Sequence, residues 1–179
     1  MEPAPGEQPD PAAFELIVEE YADRIYNVAL RITHSPQDAE DVMQDACLAA
    51  FRNWSTFRGE AARTTWLYRI AVNAALARVR RRHEDLPLEH TGYEATRIAN
   101  WSPDLGRQLE NDELRAALVS ALGRLPTDLR VVVVLRDVDG LSSAEVAAVL
   151  DLSDAAVKSR LHRARVLLRQ HLADYVRTS

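Results

Sequence analysis

Side chains suited to binding a nucleic-acid strand are concentrated between Phe57 and Arg82. Spacing predicts a helix in this stretch, with Tyr68, Arg69 and Asn73 on one side of it. A dense basic end follows, formed by Arg78, Arg80, Arg81 and Arg82. Aromatic rings stack on bases, amides read base edges and arginines neutralise phosphates. This combination predicts contact with a nucleic-acid strand.

A structural explanation of the same helix stays open at this point. Its other side carries an apolar face that recurs at three- and four-residue steps, formed by Trp66, Ile70, Ala74 and Ala77. A large apolar residue at helical spacing is more often buried in the core than used for binding. Arginines in a last helical turn also complement the helix dipole without any ligand. The helix is expected to follow a loop around Gly59 and to be capped by Thr64 or Thr65.

A second candidate surface lies near the carboxyl end of the chain. Ser142 and Glu145 have the spacing of a capping box, which predicts a short helix to about Leu150. Ser153 is then placed to cap a longer helix that runs to about Leu172. A short helix joined to a long one by so tight a turn is typical of a helix-turn-helix.

The long helix is predicted to have two different sides. The inward side is apolar and comprises Val157, Leu161, Ala164, Leu167 and Leu168. The outward side near its start comprises Lys158, Ser159, His162 and Arg163. The basic surface is widened by Arg160, Arg165 and Arg169. A recognition helix meets base edges and phosphates near its start, so this pattern favours DNA binding over a purely structural helix pair.

Charge in this chain of 179 residues is segregated, although the formal net charge is −5. The acidic residues concentrate in 15–23, 38–45 and 84–113, and the basic ones in 78–82 and 158–169. A net negative charge argues against a protein that coats nucleic acid unaided. The segregation indicates DNA contact at limited points and a basic protein partner elsewhere, with solvated faces as the alternative.

Cys47 is the single cysteine, which excludes an intramolecular disulfide and argues against a cysteine-based zinc site. We expect it to be a small buried apolar residue, and we expect no cofactor. No apolar run is long enough to cross a membrane, and the N-terminus lacks a signal-peptide core. These features predict a cytoplasmic protein without a membrane insertion of its own.

The sequence as a whole predicts an all-α protein with two small helical domains. A disordered tail is expected over residues 1–11, since this segment is rich in proline and acid. The first domain is expected over residues 12–82 and the second over 112–174. Residues 83–111 are acidic and interrupted by proline and glycine, which indicates a flexible linker.

Two helices precede the Trp66 helix in the first domain. One is predicted from Ala12 to about Thr33, and Pro36 opens the second, predicted over Asp38–Trp54. The second helix carries an acidic face, formed by Asp38, Glu40, Asp41, Gln44 and Asp45. Such a face is usually only solvated, and docking to a basic partner is the sharper alternative.

One segment of the second domain is ambiguous. A helix is predicted over Asp112–Leu122, but Val131–Leu135 on its own is also compatible with a buried strand. Pro126 and Asp128 before this run, and Gly140 beyond it, favour a helix.

Both halves together resemble the extracytoplasmic-function (ECF) sigma factors, a small two-domain group within the sigma-70 family of bacterial RNA polymerase. In the first half the matching motifs are RIYNVALRITHSPQDAEDVMQDA (24–46), FRGEA (57–61) and TWLYRIAVNAAL (65–76). In the second half they are LRDVDGLSSAEVAAVL (135–150) and VKSRLHRAR (157–165). Long motifs in this order are specific, and the resemblance implies an initiation factor that is not an enzyme.

The resemblance implies that the first domain is sigma region 2. Its acidic face is similar to the region that docks on the coiled coil of the largest polymerase subunit, which implicates Asp38, Asp41, Gln44 and Asp45. The loop and the start of the next helix resemble the element that captures a flipped base of the −10 strand. That resemblance implicates Phe57, Arg58, Gly59, Glu60, Trp66 and Asn73. Unpairing a base costs about a few kcal/mol, which a pocket and stacking must offset.

The resemblance also implies that the second domain is sigma region 4. Its helix-turn-helix would read the −35 element through Lys158, Ser159, His162 and Arg163. The implied partners are core RNA polymerase (the coiled coil of the largest subunit and the flap), promoter DNA and an anti-sigma factor. The linker would thread through the polymerase towards its active centre and RNA exit channel.

Two departures from the family pattern affect specificity. Arg63 stands where relatives usually have an aromatic residue, just before the Thr-Trp pair. Residues 153–156, reading SDAA, replace a commoner Pro-Val-Gly-Thr entry to the recognition helix. Asp154 would repel a nearby phosphate there unless it caps the helix.

A conventional helix-turn-helix repressor or activator is the alternative from another class. It predicts duplex binding without polymerase, at a palindromic site if the protein is dimeric. The stretch from Phe57 to Arg82 and the acidic face argue against it. An enzyme is the least favoured class of protein, because no nucleophile–base pair, phosphate loop or metal cluster is evident in the sequence.

Overall fold

A computed structural model describes residues 10–54, 63–85 and 112–178, and in these residues the chain forms helices and turns without a strand. A π-helical turn, Val134–Val138, directly follows the fifth helix. The helices are α1 Pro11–Thr33, α2 Pro36–Arg52, α3 Arg63–Asp85, α4 Asp112–Gly123, α5 Thr127–Val133, α6 Ser143–Leu150 and α7 Asp154–Thr178. The predicted all-α fold is confirmed.

Three predicted segments fall wholly or mostly outside the described residues: the tail, the loop before α3 and the linker. Where the chain is described, some predicted helix ends shift. Pro11 already belongs to α1, α3 continues to Asp85, and α7 reaches Thr178. The longer α3 is consistent with the position of Pro87, because a helix usually ends at or before the residue that precedes a proline.

An aromatic cluster forms the core of the first of two compact units, which contains α1–α3. Trp54, just after α2, is fully buried. Phe14 of α1 and Trp66 of α3 both meet it edge-on, with ring centroids 6.0 and 5.7 Å away. Phe51 of α2 meets Phe14 at 5.1 Å. Edge-to-face pairs stabilise beyond their buried area, so this cluster ties the three helices together.

The connection from α1 to α2 contains the predicted start at Pro36, together with two caps. Pro36 opens α2, and the Ser35 side chain caps it by accepting a hydrogen bond from the Asp38 backbone N–H at 3.2 Å. His34 closes α1 in the left-handed region, with φ of 54°. Its backbone N–H donates to the Leu30 carbonyl at 2.8 Å, which satisfies one of the carbonyls that a helix end leaves open.

The buried face of α3 is broader than predicted. Trp66 is buried as expected, whereas Ile70, Ala74 and Ala77 are only half-buried. The other buried apolar residues of α3 are Leu67, Tyr68, Ala71, Val72 and Ala75. Because α3 contacts both α1 and the end of α2, its core side extends around the helix. The prediction that Tyr68 lies on the outward side is therefore wrong.

The prediction of a threonine cap on α3 is also wrong. The helix already includes Arg63, so Thr64 and Thr65 lie inside its first turn. Thr65 is buried, and the Thr64 hydroxyl lies 3.3 Å from the Tyr21 hydroxyl of α1. The Thr64 hydroxyl thus contacts another helix, whereas the capping pattern predicts that it would bond to the backbone of α3.

The second unit contains the bulk of α4–α7, with α7 packed against α4 and α5. The run Val131–Leu135 is buried and helical, which confirms the helix over the strand. Gly140 follows the π-helical turn with φ of 76°, a conformation that glycine adopts without steric cost. The Leu141 N–H donates to the Leu135 carbonyl at 3.0 Å and so closes the turn.

A buried arginine braces the turn between α4 and α5. Arg130 lies within the apolar run of α5 and is almost completely buried. Its Nη1 donates to the Gly123 carbonyl at 3.2 Å, and its Nη2 donates to the Thr127 hydroxyl at 3.2 Å. These two hydrogen bonds hold the end of α4 to the start of α5, so Arg130 has a structural role here.

Cys47 is half-buried rather than fully buried. It lines a small apolar cavity of the first unit, together with Ile17, Tyr21 and Leu67. Burial raises the pKa of the Cys47 thiol. A smaller fraction of this thiol is therefore ionised at neutral pH than in an exposed cysteine, which lowers its reactivity.

Candidate nucleic-acid interface

The start of α7 is held in place by its cap and by its buried side. Ser153 caps the helix as predicted, its hydroxyl accepting a hydrogen bond from the Ala156 N–H at 3.2 Å. Val157, Leu161 and Ala164 are all buried, which confirms the predicted inward side. Because these residues recur at three- and four-residue steps, the remaining side of the helix must face solvent.

The outward side carries the four predicted DNA-binding side chains, here called the recognition row. All four are exposed: Lys158, Ser159, His162 and Arg163. The capping box that opens α6 is present as predicted, with the Ser142 N–H donating to Glu145 Oε2 at 2.7 Å and the Glu145 N–H to Ser142 Oγ at 3.2 Å. Residues 151–153 connect α6 to α7. A capped short helix, a tight turn and a longer helix with an exposed polar row form a helix-turn-helix.

Asp154 is not the cap of α7, since Ser153 has that role. Its carboxylate instead lies 2.6 Å from the ammonium of Lys158, one turn along the helix. The ion pair reduces the repulsion that Asp154 would exert on a DNA phosphate. It also engages the Lys158 ammonium, which is predicted to contact DNA. A first-turn acid is also stabilised by the helix dipole.

Arg165, predicted to widen the basic surface, is paired with a carboxylate of its own unit. Its Nε donates to Asp137 Oδ2 at 3.0 Å, and its Nη2 donates to Asp137 Oδ1 at 2.7 Å. These hydrogen bonds raise the pKa of Arg165. Asp137 belongs to the π-helical turn, so the fork ties α7 to the segment that precedes the helix-turn-helix.

Replacing Asp137 with asparagine is expected to lower the free energy of unfolding only slightly, by about 0.5–1 kcal/mol. The reason is that both side chains are partly exposed and the pair is screened by solvent. Urea unfolding at about 50 mM and about 500 mM salt measures this loss, and the loss should shrink at the higher salt.

Asp151→Asn is the control for this substitution. Asp151 is exposed and has φ of 53°, a conformation that asparagine tolerates, so its replacement should leave stability unchanged. A loss at Asp137 that is insensitive to salt would show that shape and hydrogen bonding, rather than charge, hold α7 there.

The predicted strand-binding side of α3 is only partly exposed. Arg69 and Asn73 are exposed and share one side of the helix, as predicted. Tyr68 is buried, and Trp66 is only 8% exposed, with its ring against Trp54. Trp66 is thus a core residue in the described structure. Four further predicted residues, Phe57, Arg58, Gly59 and Glu60, lie outside the described residues.

Part of the acidic face of α2 is paired with part of the basic end of α3. Arg78 Nε donates to Asp38 Oδ1 at 3.1 Å, and Arg78 also forms an ion pair with Asp41. Arg82 Nη1 lies 3.7 Å from Asp38 Oδ2. Spacing along one helix could not reveal this pairing, which joins residues 40 positions apart. It leaves Gln44 and Asp45 as the exposed members of the predicted docking set.

Across 10–54, 63–85 and 112–178, no group of three or more His, Cys, Asp or Glu side chains is placed to hold a metal ion. No helix in these ranges is long and apolar enough to cross a membrane.

Two family models match separate parts of the chain. The family model for sigma-70 region 2 matches residues 17–84, and the model for sigma-70 region 4 matches residues 115–168. The first match covers α2 and most of α1 and α3. The second covers α6, the turn after it and the first part of α7, which carries the recognition row.

Three known proteins are similar over most of their length. The RNA polymerase sigma-H factor of Pseudomonas aeruginosa is 35% identical over 174 residues, covering 94% of this chain and 90% of that one. The ECF RNA polymerase sigma-E factor of Escherichia coli K12 is 36% identical over 162 residues, covering 87% and 84%. The solved structure of CnrH in complex with the cytosolic domain of CnrY superposes with a TM-score of 0.65 at 30% identity, covering 92% and 90%.

The chain belongs to the ECF sigma factors of bacterial RNA polymerase. It is therefore a transcription initiation factor and not an enzyme, and its partners are core RNA polymerase and promoter DNA.

Proposed function

We propose that this sigma factor divides promoter recognition between its two units, with the −35 duplex bound by α7. The exposed recognition row carries this proposal. Four polar side chains stand on one side of α7, near its start, and a capped turn and a buried apolar side fix their direction. An α-helix presented in this way fits the major groove, where side chains reach base edges and phosphates.

We further propose that the region 2 unit, over residues 12–82, opens the duplex and holds the −10 strand through α3. Asn73 is the exposed amide on the proposed strand-binding side, and Arg69 lies one turn before it. Trp66 acts indirectly in this proposal, since its buried ring packs on Trp54 and so fixes the start of α3. The loop residues Phe57, Arg58, Gly59 and Glu60 complete the proposed base pocket.

Core polymerase is the partner proposed for the acidic face of α2, and it supplies the chemistry of RNA synthesis. The docking set is Asp38, Asp41, Gln44 and Asp45. Residues 112–174 form the proposed region 4 unit, which would also contact the flap, and residues 83–111 would run through the polymerase. The protein would act in the cytoplasm.

Control by an anti-sigma factor completes the proposal. CnrH, which is 30% identical, was solved bound to the cytosolic domain of another protein, CnrY. We propose that a comparable protein holds this factor inactive. The net charge of −5 fits a subunit that binds DNA well only within the polymerase complex.

The test is transcription by bacterial core polymerase from a randomised promoter library, with and without this protein. Added protein should direct initiation from a defined set of promoters. On those promoters Asn73→Ala should lower initiation by about tenfold, because one base contact contributes about 1–3 kcal/mol. Asn27→Ala, which removes a partly exposed amide of α1, should change initiation by less than about twofold.

A stand-alone helix-turn-helix regulator predicts the opposite pattern. In that case core polymerase would gain no promoter-directed initiation, while the protein alone would retard a specific duplex. That pair of results would overturn the proposed division of roles.

A further inference from the structure

An acidic residue stands beside the recognition row at the start of α7. Asp154 is the first residue of the helix, and its carboxylate lies 2.6 Å from the ammonium of Lys158, one turn further along. The side chains of Asp154 and Lys158 are 51% and 69% exposed. A lysine that contacts a DNA phosphate must leave or share such a partner. The ion pair therefore bears directly on how strongly α7 can bind DNA.

The pair contributes little to the folding of α7. An exposed ion pair between side chains four positions apart adds little stability, because solvent screens both charges. The cap of α7 is supplied by Ser153, whose hydroxyl accepts from the Ala156 N–H. The buried side of the helix, which includes Val157, holds it against the rest of its unit. What Asp154 changes most is the charge that α7 presents to a duplex.

Other groups on α7 that attract phosphate also have internal partners. The Ala156 N–H, near the positive end of the helix dipole, donates to Ser153 Oγ. Further along, Arg165 donates two hydrogen bonds to Asp137. These contacts and the Lys158 pair reduce the attraction that α7 exerts on a phosphate backbone.

We propose that Asp154 is an internal competitor for DNA phosphate, which holds the Lys158 ammonium and so lowers the affinity of α7 for any duplex. This inference rests on the proposed −35 role of α7 and names a residue that limits it. Binding to non-specific DNA derives almost entirely from phosphate contacts, and each cation that makes one releases a counterion. Asp154 and Lys158 together bring no net charge to the duplex. Binding by α7 therefore depends more on base edges and on Arg163.

A base-reading role is the alternative for this carboxylate. An aspartate accepts a hydrogen bond from the N4 amino group of cytosine in the major groove. The contact with Lys158 favours the competitor, because a charged ammonium is a stronger donor to a carboxylate than a neutral amino group. The two roles also predict opposite results when the charge is removed. Loss of a competitor strengthens binding to every sequence, whereas loss of a base reader weakens binding to some.

The experiment measures binding of promoter duplexes by the full-length protein assembled with core polymerase, at salt concentrations from about 50 mM to about 300 mM. Asp154→Asn removes the charge and keeps the shape of the side chain. It should raise affinity by about threefold to tenfold at the lowest salt, by a similar factor for intact and scrambled −35 elements. The slope of log affinity against log salt should steepen by about 1, because one further phosphate contact is gained.

Asp151→Asn is the charge-matched control for this measurement. Asp151 is exposed in the turn between α6 and α7 and has φ of 53°, which asparagine tolerates. Its replacement should change affinity by less than about twofold and leave the salt slope unchanged. Equal gains for the two variants would show that loss of any nearby negative charge strengthens binding, and would overturn the assignment to Asp154.

A double-mutant comparison tests whether Asp154 acts through Lys158. Lys158→Gln should weaken binding more in the Asp154→Asn protein than in the wild type, because only there is the ammonium released from its partner. Equal losses in the two backgrounds would overturn the coupling. Weaker binding of Asp154→Asn to every duplex would indicate a structural role in α7, and weaker binding to certain −35 sequences alone would indicate base reading. Either result would overturn the proposal.

The wild-type complex separates this inference from the function on which it rests. It should bind intact −35 elements more tightly than scrambled ones. If it does so while Asp154→Asn has the same affinity and salt slope as the wild type, the competitor role is overturned and the −35 role stands. If the wild-type complex does not distinguish the two kinds of duplex, both are overturned.

Discussion

Trp54→Ala lowers the free energy of unfolding of the first unit by an expected 3–5 kcal/mol, about the cost of removing a large aromatic side chain from a core. Trp54 is fully buried, and the rings of Phe14 and Trp66 both pack edge-on against it. Removing the indole leaves a cavity where three helices meet, and the helices can close it only partly. Urea unfolding followed by circular dichroism measures the loss.

Two controls define this result. Trp54→Phe keeps an aromatic ring and should lose less than half as much stability. Leu16→Ala removes an exposed side chain from the same unit and should change stability by less than about 0.5 kcal/mol. If Trp54→Ala lost no more than Leu16→Ala, the aromatic cluster would not be the core that joins α1, α2 and α3.

Arg163→Ala weakens binding of the polymerase complex to its −35 duplex by an expected ten- to hundredfold, since a guanidinium that contacts bases or phosphates contributes about 1–3 kcal/mol. Arg163 lies in the recognition row, on the exposed side of α7. Of the other charged members, Lys158 is paired with Asp154. Arg163 is therefore the cation of the row on which we expect binding to depend most.

The measurement uses promoters recovered from the randomised library, each with its −35 element intact or scrambled. The loss should be large on intact promoters and small on scrambled ones. Arg124→Ala is the charge-matched control, because Arg124 is exposed in the same unit but lies outside α7. An equal loss for both variants, on both kinds of promoter, would indicate general charge attraction and contradict a base-reading role.

Helix boundaries and caps were largely predictable because their causes are local. The capping box at Ser142, the Ser153 cap and the Pro36 start all depend on groups within a few positions of each other. Pro126 and Gly140 likewise decided between helix and strand for the run of valines. The outward side of α7 followed from helical spacing alone, because its inward side is consistently apolar.

Other features depended on which helices meet. Spacing along α3 does not reveal that the helix touches both α1 and the end of α2, so it predicts the wrong side for Tyr68. Thr64 has the chemistry of a cap, but Tyr21 lies against it in the folded unit. In each case a contact between distant residues outweighed a local preference.

By itself, the sequence determined the helical class, the two-part organisation of its motifs, the family and the recognition row. Those features depend on residue type and on spacing over a few positions along the chain. Only the tertiary structure decided which charges remain available to partners. It paired Arg78 with Asp38 and bound Arg165 to Asp137. The physical reason is that an ion pair between helices requires two side chains to meet in space, and helical periodicity does not determine which helix faces another.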